Sequence, residues 1–121
     1  MNDDKLQMTI LFDFFGELLT GKQREYYDLY YNEDLSLSEI AERAGITRQG
    51  VCDIVNRAAK ALTVMEKKTG VVNRWRETRL EVERAERKAL ELLRLTGGEG
   101  QTADIARELV DILSKLNTDN W

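Results

Sequence analysis

The sequence predicts an all-α protein, a helix-turn-helix bundle followed by a C-terminal helical extension, and three observations lead there. Apolar residues recur at helical spacing in segment after segment of the 121 residues. Proline is absent, as long uninterrupted helices require, because its ring breaks a helix interior. The breaks between segments carry the chemistry of helix ends, with Thr or Ser before a helix and Gly after it.

Taken in order, the first helix is expected over about 5–19, where Ile10, Leu11, Phe14, Phe15, Leu18 and Leu19 form one broad apolar stripe. Thr20 and Gln23 have the spacing of a capping box and open a second helix to about residue 31. Tyr26, Tyr27, Tyr30 and Tyr31 on that helix could stack bases. We read them instead as amphipathic rings lying against the core with their hydroxyls in water. Ser36 and Glu39 form a second capping box, and a short helix follows to Ala44. Gly45 is placed for the left-handed conformation that ends a helix. Thr47 then caps a helix to about residue 69, which Gly70 stops.

A fifth, highly charged helix is expected over about 73–95. On it Trp75, Val82 and Ala89 recur every seven residues, with Ala85 and Leu92 offset by three. That row is either a seam between subunits or the core-facing stripe of one chain. The last helix, over about 103–116, gathers Ile105, Leu109, Ile112, Leu113 and Leu116 on one side. The chain thus divides into a helix-turn-helix domain at 1–70 and an extension at 71–121 suited to dimerisation.

Composition excludes several classes of function. Without histidine there is no imidazole base and no common metal ligand, and the glycine cluster at 97–100 lacks the Lys-Ser/Thr of a phosphate-binding loop. No enzyme, cofactor or metal centre is expected. The N-terminus reads Met-Asn-Asp-Asp, acidic where a secretory signal is basic, and Asp13 and Glu17 interrupt the apolar run of the first helix. A cytoplasmic protein with no membrane segment is expected. The single cysteine, Cys52, has no internal disulfide partner and is read as an inert thiol. Net charge is −4, but its distribution matters more: residues 1–35 carry −5, 47–94 carry +5 and 95–121 carry −3.

The basic segment coincides with the motif that carries the function. Residues 35–57 read LSLSEIAERAGITRQGVCDIVNR. In a helix-turn-helix, Ile40 and Ala44 would face the partner helix and Ala41 would sit where the helices cross. Gly45 would make the tight turn, Ile46 would plug the gap beneath it, and Val51 and Ile54 would bury the second helix. Its outward face then carries Thr47, Arg48, Gln49, Cys52, Asn56, Arg57 and Lys60 as the candidate nucleic-acid contacts. Arg48 can fork onto guanine, Gln49 onto adenine, and Thr47 with the helix N-terminus can hold a phosphate. Lys67 and Lys68 extend the positive strip, whereas Asp53 repels phosphate.

The stretch EIAERAGITRQGVCDIVNRAAKAL at 39–62 is similar to the fourth conserved region of sigma factors, which reads promoter DNA. Over about residues 5–70 the run LLTGKQREYYDLYYNEDLSLSEIAERAGITRQGVCDIV more closely resembles the YlxM family, small bacterial helix-turn-helix proteins tied to the signal recognition particle operon. That resemblance implies a DNA-binding regulator serving the signal recognition particle pathway, with Arg48 and Gln49 as groove contacts. It departs from the sigma pattern at Gly50, Cys52 and Asp53. The helices after residue 70 are longer than the resemblance implies. Expected partners are nucleic acid, DNA ahead of RNA, components of the particle, and a second copy of the chain. The alternative is an accessory module that binds the particle's RNA or its GTPase.

Overall fold

In the computed structural model, which describes residues 3–118, every regular element is helical. The α-helices are α1 (Asp3–Phe15), α2 (Gly21–Tyr27), α3 (Leu37–Ala44), α4 (Arg48–Thr69), α5 (Val71–Leu95) and α6 (Gln101–Thr118). No strand occurs among the described residues. The chain forms two compact units, Met1–Val72 and Asn73–Trp121.

Local chemistry sets the helix starts of the first unit. Thr20 accepts from the amide of Gln23, whose side chain returns to the Thr20 amide. Ser36 and Glu39 repeat the arrangement, with the Ser36 amide donating to the carboxylate at 2.9 Å. Hydrogen bonding by Ser36 holds the Glu39 carboxyl below the usual carboxylate range. Gly45 and Gly70 adopt φ of 72° and 65°, the left-handed region that ends α3 and α4 at little steric cost.

Two apolar clusters fill this unit. Met8, Leu11, Phe15 and Leu19 pack with Tyr27, Ala58, Leu62 and Val72, and so tie α1 to α4. Tyr26, Ile40, Ala41, Val51 and Val55 lock α3 across α4. Full burial of side chains such as Ile40 and Val51 contributes about 1.5–3 kcal/mol each.

Several sequence expectations change. The first helix stops at Phe15 and continues as a 3-10 turn at Gly16–Leu18, which swings Leu18 into solvent. A Cβ on Gly16 would meet the Phe12 ring at 3.0 Å, so the bare backbone lets that ring settle over the turn. Beyond Tyr27 the second helix widens into a π turn at Asp28–Asn32. The tyrosine rings do lie against the core, but the Tyr27 hydroxyl is not in water: buried, it donates to the Met8 carbonyl at 2.5 Å. Its ring stacks on Phe12 with centroids 5.2 Å apart.

The second unit is an antiparallel hairpin of α5 and α6, closed by a glycine turn in which Gly97, Gly98 and Gly100 all have positive φ. Arg107 donates to the Gly98 carbonyl and Ser114 bonds Glu86 across the hairpin. Ala89, Ala103 and Ala106 are buried. The heptad row of α5 is split: Ala89 is interior and Val82 half-buried, whereas Ala85 and Leu92 are exposed. Leu113 leaves the row expected on α6 and lines a hollow with Val82 and Ala85.

Candidate nucleic-acid interface

Helices α3 and α4 meet through Ile40, Ala41, Val51 and Val55, with Ile54 half-buried beside them. The amides of Gly45 and Ile46 both donate to the Ala41 carbonyl, at 2.9 and 3.2 Å, which closes the turn. Ala41 is buried at the crossing, where a larger side chain has no room.

Three positions depart from the motif as read in the sequence. Ala44 is exposed, because α3 has only eight residues and its packing is complete at Ile40 and Ala41. Ile46 is 40% exposed and does not plug the turn from beneath. Its Cδ1 lies 3.6 Å from where a Cβ of Gly50 would stand, so it rests over the first turn of α4 in space that glycine leaves open. Val55 takes the depth that the sequence reading gave to Ile54, since two residues four apart, Val51 and Val55, lie more nearly on one line.

The start of α4 is fixed by Thr47, whose hydroxyl oxygen accepts from the Gly50 amide at 3.0 Å. A Cβ at position 50 would come within 3.2 Å of that oxygen, so Gly50 protects the cap as well as lowering the surface. The first turn of α4 holds no acidic residue, and its amides present a positive dipole end.

Thr47, Arg48, Gln49, Asn56, Arg57 and Lys60 are all exposed, and Cys52 is half-buried. At 100° per residue, Gln49, Asn56 and Lys60 share one outward row with Asp53. Arg48 and Arg57 stand on opposite flanks of that row. Within it Gln49 donates to Asp53 at 2.9 Å, and the Asn56 amide lies 3.5 Å from the Cys52 sulfur. Two of the candidate contacts, Arg57 and Lys60, together with Lys68 rim a shallow hollow floored by Ala61, Val64 and Met65. Sequence reasoning followed the cations and passed over that apolar floor, although its spacing of three and four residues was visible. Among the described residues no group of acidic or cysteine side chains is placed to hold a metal ion, and no helix is long and apolar enough to cross a membrane.

Residues 2–94 match the family model described as "UPF0122: Putative helix-turn-helix protein, YlxM / p13 like". The chain belongs to the UPF0122 family. A UPF0122 protein of Thermoanaerobacter sp. (strain X514) is 40% identical over 117 residues, which cover 97% of this chain and 99% of that relative. A UPF0122 protein of Shouchella clausii is 38% identical over 117 residues, 97% of this chain and all of the relative. One from Caldanaerobacter subterraneus is 48% identical over 84 residues, 69% of this chain and 72% of its own length. No solved structure matches the chain. The UPF0122 relatives matched along their whole length correct one expectation: residues beyond 70 have counterparts in the family and are not an unusual extension.

Proposed function

We propose that this UPF0122 protein is a DNA-binding regulator that lays the outward row of α4 in the major groove. The observation that carries the reading is the row itself: Gln49, Asn56 and Lys60 stand in solvent on a helix whose start is pinned by Thr47. A rigid helix with polar and cationic tips is what groove recognition requires. Arg48 on one flank is placed to fork onto guanine, Arg57 on the other to reach a phosphate, and the amide end of α4 adds a further phosphate contact. One such helix makes few contacts, so the reading includes two copies of the chain, joined through residues 71–121, on paired half-sites. The protein acts by binding and not by catalysis, in the cytoplasm, and its resemblance to YlxM proteins supports the signal recognition particle pathway as the process it serves.

A second reading, contact with the particle's RNA or its GTPase, is favoured by the acidic flanks, −5 over 1–35 and −3 over 95–121, which oppose a long duplex. A salt titration separates the two. Binding that weakens steeply with salt and prefers one duplex sequence supports DNA, whereas steep weakening without sequence preference supports RNA or shape-only contact. Absence of any salt-dependent binding to nucleic acid would sink the proposal.

A further inference from the structure

Helix α6 has two apolar sides, and the hairpin covers one of them. Ala103 and Ala106 are buried, and Leu113 turns toward Val82 and Ala85 of α5. About a third of a turn round the helix, Ile105, Leu109, Ile112 and Leu116 form a second row that is 60, 41, 50 and 57% exposed. Their spacings of four, three and four residues are those of a heptad seam, with isoleucine and leucine alternating along it. Four large aliphatic side chains in line on one exposed face mark an association surface more than a solvated one.

We infer that this row is the seam on which a second copy of the chain docks, α6 against α6 and antiparallel, about a two-fold axis between Leu109 and Ile112. The inference rests on the two-copy reading above and gives it a location. Orientation follows from the flanking charges. Such an axis sets each Leu109 on the partner's Ile112 and each Leu116 on the partner's Ile105. It also brings Glu108 opposite the partner's Lys115, and by symmetry the same pair forms twice. Both side chains are exposed and stand beside the seam, seven residues apart. A parallel arrangement instead sets Leu113, which is turned into the hairpin, opposite Glu108 across the seam, so that no charge pair forms there. Charge complementarity therefore selects the antiparallel dimer. Each copy brings α5 behind its seam, so the product is a four-helix bundle of two hairpins. With four seam residues per copy the interface is small for a specific one, and its dissociation constant is expected nearer micromolar than nanomolar.

Sedimentation equilibrium on the full chain without nucleic acid, up to roughly 200 µM, tests this. Wild type is expected as a reversible two-copy species. Ile112→Glu, at an exposed site that leaves helicity by circular dichroism unchanged, is expected to be monomeric throughout. Glu108→Lys should weaken association about tenfold by facing two ammonium groups, and adding Lys115→Glu should restore it. Arg48→Ala should leave association unaltered, so failure of the seam and failure of DNA recognition are read separately. A wild type that stays monomeric, or a dimer that Ile112→Glu leaves intact, overturns the seam. Failure of the paired charge reversal to restore association overturns its antiparallel direction.

Discussion

The side-chain amide of Gln49 donates a hydrogen bond to the Asp53 carboxylate, 2.9 Å away and one turn further along α4. The acid that opposes phosphate thus also engages a group proposed to read a base, so on the proposed reading it restrains binding twice over. Asp53→Ala frees the amide and removes a negative charge from the outward row. Affinity for duplex DNA should rise by about 0.5–1 kcal/mol, the scale of an exposed charge interaction. Fluorescence anisotropy at fixed salt measures it, and weaker binding by the variant would show that Asp53 positions Gln49 for recognition.

Arg48 stands on one flank of the row beside the amide end of α4, so its guanidinium can fork onto guanine or clamp a phosphate. Arg48→Ala should cost ~1–3 kcal/mol in affinity and relax the preference at one base position. Competition with single-base variants of the bound duplex distinguishes the roles: loss of affinity with the preference intact would assign Arg48 to the backbone.

Stability of the motif depends on a small side chain at the helix crossing. Ala41→Leu overfills a buried contact and should destabilise the chain by ~1–3 kcal/mol. Gly45→Ala, which forces a β-carbon onto a residue at φ 72°, should cost about 1 kcal/mol. Chemical denaturation reads both, and an unchanged midpoint for Ala41→Leu would mean that α3 and α4 do not cross there.

Alkaline behaviour should report the buried phenol. Burial pushes Tyr27 well above its ordinary 10.0, with Tyr31 and Asp4 adding smaller pushes in the same direction. A raised value favours the neutral form in the folded chain. Its stabilisation is therefore complete below pH 10.0 and is lost as pH rises through the folded value. Tyrosinate absorbance of the native protein should keep rising beyond the pH at which the unfolded chain has finished. Tyr27→Phe should shrink that late phase and cost about 1 kcal/mol through the lost bond to Met8. A late phase of undiminished size in the variant would assign it to another phenol.

What the sequence disclosed was chiefly what neighbouring residues decide among themselves. Thr20 with Gln23, Ser36 with Glu39, Thr47, Gly45 and Gly70 each satisfy or end a helix through groups within a few positions, so their roles could be read in order along the chain. Burial could not be read so directly. Leu18, Ile46 and Leu113 fit an apolar pattern, yet their directions depend on a 3-10 turn, a missing side chain at Gly50 and the position of α5. The same holds for the candidate contacts. Their exposure follows from helical spacing once Val51 and Val55 are inside, whereas the Gln49–Asp53 bond and the hollow behind Arg57 required coordinates.

The half-buried sulfur of Cys52 lies beside Asn56 on the proposed contact surface, and the sequence holds no second thiol. Nature has thereby supplied a native footprinting handle. An alkylating reagent will mark one position in the whole polypeptide, without any engineered substitution. Bound duplex should slow that labelling, and a rate indifferent to DNA would locate the contact on some other part of the molecule.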